Sequence, residues 1–471
     1  MKPTLSLLYG SALWTVLLLT GCKSNKTVED PYLTTDPAET VLFEAEEASN
    51  TITINTNQPV WNFSVEEGQE WCDASKGQGN KLVISANYNY GDAERTTTIT
   101  ITAGSQEEPE LLSQTLTITQ SGTVNKAARL LDRTAYFEKY PEDVSGSPAY
   151  TVSTEAIKLE FYGWGEATDK TFTVNFPENS ENYNRAILKY RMGAWNEGCS
   201  SYDNTTMFFI KNKADGQWYE ITRAMTPFGN SFGSTWERYY YFDVTDYLSM
   251  MEGATEFKVY YGGFDATSTR AHTATLTFDL YTGEQARTAV YYAKVYDSSR
   301  DGNSGYRGFA YGVAGHDIEA PERMGEKAFQ IPADVNELEM KVTITGHGHD
   351  QGKFPDRPNY STKNAAEFDE NTYTVKVNGE AAAYPGSIFI ACGNNYSQAG
   401  TCYYDRANWC PGNPALVHWW RILDVPQGGG EITLDLDLER FISASSAPNA
   451  EGTAQYIVEV DLIGYKTAAA Q

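Results

Sequence analysis

The chain has 471 residues, which at usual domain sizes leaves room for about three domains. Its 62 Asp and Glu against 36 Lys and Arg give a formal net charge of −26, which argues against nucleic acid and anionic lipid headgroups as partners. Its 32 Tyr and 10 Trp suit sheet surfaces and stacking on sugar rings, though core packing uses the same rings.

The N-terminal stretch has Lys2, an apolar run from Leu5 to Leu19, and the ending Leu19-Thr20-Gly21-Cys22. The run is too short for a membrane span and has the charge and small-residue ending of a secretory signal peptide. Leu-x-Gly-Cys resembles the bacterial lipoprotein box, which implies a signal peptide over 1–21, lipid on Cys22 and export to the membrane. No later apolar run is long enough to span a bilayer, so the membrane is expected to be met only through Cys22. Residues 22–37 are polar and contain proline, as a tether would be.

Strict alternation follows in Thr51-Ile52-Thr53-Ile54, Thr98-Ile99-Thr100-Ile101 and Thr115-Leu116-Thr117-Ile118, punctuated by Gly and Asn clusters. Period two predicts half-buried antiparallel strands, and residues 38–123 read as a small β-sandwich. Pro59-Val60-Trp61, Trp71-Cys72 and the closing Thr117-Ile118-Thr119-Gln120-Ser121-Gly122 resemble the BACON domain. The regular pattern needs no ligand to explain it, so a spacer role is preferred to sugar binding.

Alternation continues to the end of the chain, for example in Thr171–Phe176, Phe257–Tyr261, Leu338–Ile344, Tyr373–Val377 and Ile432–Leu436, and helical periodicity is nearly absent. The fold class is therefore all-β. A waist near Gly283-Glu284-Gln285 divides this block, predicting two side-by-side jelly-roll sandwiches over 127–284 and 287–468.

Polar chemistry gathers in three segments: Asn196–Asp203, Thr345–Asp350 with Asn364–Asp369, and Asp405–Gly412. Carboxylates at strand ends of two domains could meet in a cleft, a favoured place for active sites. By itself Asp203 reads as a turn or capping aspartate, Glu367 as a strand-edge carboxylate, Arg406 as a partner of Asp405 and Trp409 as core. Yet Asp405-Arg406-x-x-Trp409-Cys410-Pro411-Gly412, Ala366-Glu367-Phe368, Gly346-x-Gly348-His349, the Lys211–Ile221 stretch and Asp243-Val244-Thr245-Asp246 resemble the peptide-N-glycosidase F family in one order over about Lys158 to Lys466.

The resemblance implies an amidase that cleaves between asparagine and the first N-acetylglucosamine of N-linked glycoproteins or glycopeptides. It implies two jelly rolls with the site between them and no metal or organic cofactor. Asp203 falls on the family's essential aspartate and Glu367 on its second acid. Arg406, Trp409, Tyr202, His347 and Phe264 fall on substrate-side positions. Amide hydrolysis needs a base to activate water and a donor to steady the oxyanion, roles that Asp203, Glu367 and Arg406 can share. The family's third acid is replaced by Gly262, with Asp265 displaced by three positions, and the arginine after the essential aspartate is Asn204.

The resemblance also pairs Cys392 with Cys410. Five cysteines beyond Cys22 leave at least one thiol free, and Cys199 and Cys402 are either unpaired or paired with each other. A metal on His347, His349 and Asp350 is the less favoured alternative to a ring meeting the glycan. The expectation is a monomeric N-glycan amidase, lipid-anchored to the outer membrane and facing the cell surface, with the periplasmic face as the alternative placement. The alternative is a non-catalytic glycan-binding lipoprotein descended from such an enzyme.

Overall fold

The period-two stretches are strands in the computed structural model, which describes residues 30–45, 47–67, 70–89, 91, 93–122, 127–145, 152–162, 169–263, 267–297, 323–348, 367–368, 370–394, 404–439 and 455–467. The signal segment, Cys22, Phe264, Asp265, His349, Asp350 and Cys402 lie outside these residues. The chain divides into two compact units, one ending at Ser121 and one built from Gly122 onward.

The first unit is a sandwich of two four-stranded sheets. One runs Leu33–Asp36, Ala48–Thr56, Lys81–Ala86, Cys72–Lys76, and the other Thr40–Phe43, Leu112–Gln120, Arg95–Gly104, Val60–Val65. Alternation places Ile52, Ile54, Leu82, Ile84, Ile99, Ile101, Leu116 and Ile118 in its core, with the intervening threonines outward. Leu33–Asp36, expected in the tether, is instead an edge strand paired with Ala48–Thr56. Leu33 packs against the core and Thr35 is buried, so one inward face sufficed where the composition looked like linker. Cys72 is a free buried thiol, raised above its ordinary pKa by burial.

The second unit holds two sandwiches. In the first, a sheet of Val152–Ser153, Arg270–Thr282, Tyr183–Asn196 and Glu237–Asp243, with Ile157–Phe161 also on Arg270–Thr282, covers the sheet Asp169–Asn175, Ala254–Tyr261, Thr205–Lys211, Trp218–Met225. In the second, a sheet of Arg287–Asp297, Gln455–Thr467, Glu337–His347, His418–Ile422 and Ala128–Leu131 covers the sheet Lys327–Ile331, Gly430–Leu438, Asn371–Val377, Glu380–Ala381. Ala128–Leu131 precedes the first sandwich in sequence, yet it extends an edge of the second by pairing with His418–Ile422. The expected division at 127 therefore places this strand in the wrong sandwich.

The two sandwiches meet through a seam that the alternation alone does not reveal. Along Glu337–His347, Leu338, Met340, Val342 and Ile344 enter the second core. The alternate residues Glu339, Lys341, Thr343, Thr345 and His347 are buried as well. Lys341 Nζ donates to the carbonyls of Glu220 and Ile221 and to the Tyr247 hydroxyl, all of the first sandwich. Arg223 Nη1 donates to Thr345 Oγ1 at 2.7 Å and to the Ile457 carbonyl at 2.8 Å. A polar row that normally faces water is here the contact surface, and its donors find acceptors across it.

Candidate active site

Asp203 stands on a loop that leaves the strand Tyr183–Asn196 and enters Thr205–Lys211. The loop is pinned at its start because Cys199 N–H donates to the Phe232 carbonyl, while Arg270 Nε donates to the Cys199 carbonyl. It is pinned at its end by Asn204, which is 4% exposed and whose Nδ2 donates to Ser200 Oγ, the Tyr202 carbonyl and Tyr261 OH. Asn204 occupies the position where the family resemblance puts an arginine, and it acts as an internal clamp of the loop. Such a role is invisible in sequence, since it depends on Tyr261 from another strand.

Arg406 belongs to the second sandwich. Its main chain pairs with Ile390, the Ala407 N–H donates to the Glu367 carbonyl, and the Gly346 N–H donates to the Ala407 carbonyl. The Cys392–Cys410 disulfide closes this loop, as expected. The Arg406 guanidinium lies over the Phe368 ring at 4.3 Å and near the Trp409 ring at 5.1 Å, a cation held between π faces.

These elements bring three charges together from two sandwiches. Arg406 Nη2 is 3.8 Å from Asp203 Oδ2, and Arg406 Nη1 is 3.5 Å from Glu367 Oε1. Their side chains are 4%, 13% and 18% exposed for Arg406, Asp203 and Glu367. Both contacts are ion pairs too long or too oblique to be hydrogen bonds. Asp203 Oδ2 and Arg406 Nε and Nη1 accordingly have no hydrogen-bond partner among the described residues. Buried polar atoms normally find partners, so this cluster holds open bonding capacity for a polar ligand. Burial, reinforced by the Glu367 charge and opposed by Arg406, pushes the Asp203 carboxyl up to about 7.

The remaining expected residues sort by exposure. Tyr202, 44% exposed, presents its ring beside Asp203 in edge contact with Phe228. Trp409 is 1% exposed, donates from Nε1 to the Gly346 carbonyl at 2.8 Å and stacks on His347. His347 is buried too, with Nε2 at 2.7 Å from Thr345 Oγ1, and burial lowers it to about 3. This corrects the expectation for both: they offer no free ring face to a sugar and instead form the floor beneath Arg406. Cys199 is a free buried thiol, not a disulfide partner of Cys402. Among the described residues no three His, Cys, Asp or Glu side chains converge as metal ligands.

A separate cavity of about 180 Å³ lies along the seam, lined by Arg133, Thr222, Tyr247, Lys341, Val417 and Trp419. It contains none of the expected residues. Arg133 is spent on Asp246 and Glu339, and Lys341 on the three acceptors named above, so the Asp203 cluster is the better candidate.

Comparison with known proteins bears on this arrangement. The BACON family, described as an N-terminal binding domain, matches residues 61–121. The chain is also 28% identical over 255 residues to peptide-N(4)-(N-acetyl-beta-D-glucosaminyl)asparagine amidase F of Elizabethkingia miricola. The chain is thus similar to peptide-N-glycosidase F and carries a segment that matches the BACON family. The match takes in 53% of this chain and spans 66% of the length of the curated relative. The solved structure of PNGase F from Flavobacterium meningosepticum superposes with a TM-score of 0.52 at 22% identity, covering 67% of this chain and 98% of that one. A second structure of a peptide-N(4)-(N-acetyl-beta-D-glucosaminyl)asparagine amidase gives a TM-score of 0.52 at 21% identity, covering 67% and 98%. The peptide-N-glycosidase F fold, a pair of jelly-roll sandwiches, is thus the fold of the second unit.

Proposed function

We propose that this protein hydrolyses the amide joining asparagine to N-acetylglucosamine in N-linked glycoproteins or glycopeptides, converting Asn to Asp and releasing the glycan. The observation that carries the reading is Arg406 between Asp203 and Glu367, with buried bonding capacity left open on both the acid and the guanidinium. A carboxyl near pH 7 can take a proton from water as it attacks the amide carbonyl and return it to the departing nitrogen. Arg406, held rigid by Phe368 and Trp409, can steady the oxyanion that forms on the carbonyl oxygen. Glu367 orients the sugar, and the exposed Tyr202 ring offers it an apolar face.

The test is incubation of the protein with a denatured glycoprotein, read by mass spectrometry. Glycan loss with Asn converted to Asp is expected from wild type. Asp203→Ala is expected to lose on the order of a hundredfold or more in rate. No release from any N-glycan class, or unchanged release by Asp203→Ala, overturns the reading.

A second reading, a glycan-binding protein without turnover, is favoured by Gly262, which puts no carboxyl where the family resemblance expects a third acid. Gly262 N–H donates to the Thr205 carbonyl, and a Cβ there would meet that oxygen at 3.4 Å, so the backbone admits a Cβ at this position. Binding on a glycan array with no release, and release gained in Gly262→Glu, is the outcome this reading requires.

The lipid on Cys22 and placement at the outer cell surface complete the proposal. Large external glycoproteins reach an enzyme there more readily than in the periplasm. Incorporation of labelled fatty acid that disappears in Cys22→Ala, and protease accessibility on whole cells, test the two steps.

A further inference from the structure

Asp203 and Arg406 come from different sandwiches, so something must set the distance between the loops that carry them. The strand Trp218–Met225 of the first sandwich ends beside both, and the residue that follows it, Thr226, is 1% exposed. Its Oγ1 accepts from the Asn204 N–H at 2.6 Å and donates to the Tyr202 carbonyl at 3.2 Å. Its own N–H donates to the Asn204 carbonyl at 3.0 Å. One hydroxyl thus holds the residues on either side of Asp203, using its single proton and an acceptor lone pair. Its main-chain carbonyl accepts from the Gly412 N–H at 3.0 Å, at the far end of the Arg406–Gly412 segment.

The bonds on either side continue the attachment. Met225 N–H donates to the Asn413 carbonyl, Ala415 N–H donates to the Arg223 carbonyl, and Ala224 bridges Pro414. Asn413 N–H closes back on the Cys410 carbonyl, and Leu416 N–H on the Asn408 carbonyl, so the segment gripped by Thr226 is continuous with the turn below Arg406. Among these residues Thr226 alone bonds both to the flanks of Asp203 and to the second sandwich.

We propose that Thr226 is a positioning residue that fixes the Asp203 carboxyl relative to the Arg406 guanidinium across the junction of the two sandwiches. The inference rests on Asp203 as the reacting acid of the proposed amidase. It adds a residue that touches no substrate and acts through the two loops. A displacement of about an ångström at a reacting group can lower turnover by on the order of a hundredfold, so the geometry that Thr226 sets is worth measuring.

The experiment compares Thr226→Val, which keeps the branched shape and removes the hydroxyl, with Thr226→Ser, which keeps the hydroxyl, both in the full chain. Two readouts are taken: glycan release from a denatured glycoprotein, and the titration midpoint of Asp203. The midpoint is read by NMR of protein labelled at the aspartate carboxyl, with the resonance assigned by its loss in Asp203→Asn. The groups that face this carboxyl and set the midpoint are Glu367 and Arg406. In Thr226→Val, kcat is expected to fall on the order of tenfold to a hundredfold with KM little changed. The midpoint is expected to move away from its wild-type value, and Thr226→Ser is expected to restore both.

Thr226→Val with wild-type turnover and a wild-type midpoint overturns the inference. So does a loss of turnover that matches the loss of folded protein with the midpoint unmoved. If wild type releases no glycan, the amidase reading fails by itself. A midpoint displaced in Thr226→Val and restored in Thr226→Ser then still supports the positioning role, and an unmoved one overturns it.

Discussion

The Asp203 carboxyl is the residue on which the chemistry and the stability of the second unit pull in opposite directions. Burial and Glu367 outweigh Arg406 and raise it to about 7, well above the 3.8 of a free aspartate. For an acid raised in this way the folded state binds the extra proton between about pH 4 and 7. Stability therefore falls as pH rises through that window and stays low above it. Asp203→Asn, which mimics the protonated acid, is expected to stabilise the fold at pH 8 by on the order of 2–4 kcal/mol, with the gain shrinking as pH falls from 7 toward 4. Urea unfolding of both proteins across that range checks this, and a gain independent of pH would contradict it. In the same reading wild-type kcat/KM rises with pH through about 7 as the base ionises, and the limb is lost in Asp203→Asn. Asp203, Glu367 and Arg406 could be found in the sequence because ordered motifs carry them. Trp409 and His347 could be found as positions but not as roles. Whether a ring faces solvent or the floor of a site is decided by residues that pack over it, here each ring covering the other.

At the scale of the element, the start of the loop from Gly198 to Asn204 is held by close backbone contacts. Gly198 has φ +155°, and a Cβ there would lie 2.4 Å from the Phe232 carbonyl and within 3 Å of the Arg270 guanidinium. The oxygen belongs to the segment that accepts from Cys199 N–H, so it cannot give way without releasing the start of the loop. Gly198→Ala is expected to cost about 1–3 kcal/mol in unfolding free energy and to lower glycan release by more than the unfolded fraction explains. Unfolding curves alongside the release assay separate the two, and a variant of wild-type stability and rate would show that the loop yields. Strands were the most legible elements, because alternation in Ile52–Ile54 or Leu338–Ile344 is a local property. What alternation could not tell is which polar faces meet water. The threonines between the core residues of Ala48–Thr56 and Leu112–Gln120 do, whereas Glu339, Lys341 and Thr345 are buried, Lys341 and Thr345 bonding to the other sandwich and Glu339 to Arg287 of its own sheet. Leu33–Asp36 and Ala128–Leu131 escaped notice for a related reason. Four residues give two inward positions, too few for a period to register.

Over the second unit as a whole, the junction of the sandwiches sets buried charges beside apolar contacts, such as those of Ile457 with Met207 and Phe209 and of Met225 with Trp409, and the charges set its alignment. Arg223 and Glu220 are 0% and 1% exposed and joined by two hydrogen bonds of 2.8–2.9 Å. Taking both charges out of water costs about what their attraction returns, so the pair adds little net stability. Removing one member leaves the other buried and unpaired, and Arg223→Met is expected to destabilise the unit by about 3–5 kcal/mol. Adding Glu220→Leu should recover most of that, because two apolar residues need no compensation, and the double variant should be strongly non-additive. Activity is expected to behave differently. Arg223 Nη1 also bonds Thr345 Oγ1 and the Ile457 carbonyl, which fixes the register of one sandwich on the other three residues before Thr226. An apolar contact has no such direction, so the double variant should regain stability while its glycan release stays low. Recovery of both would show that any close contact between the sandwiches suffices. Recovery of stability alone would show that the buried charges are kept for the alignment of Asp203 with Arg406.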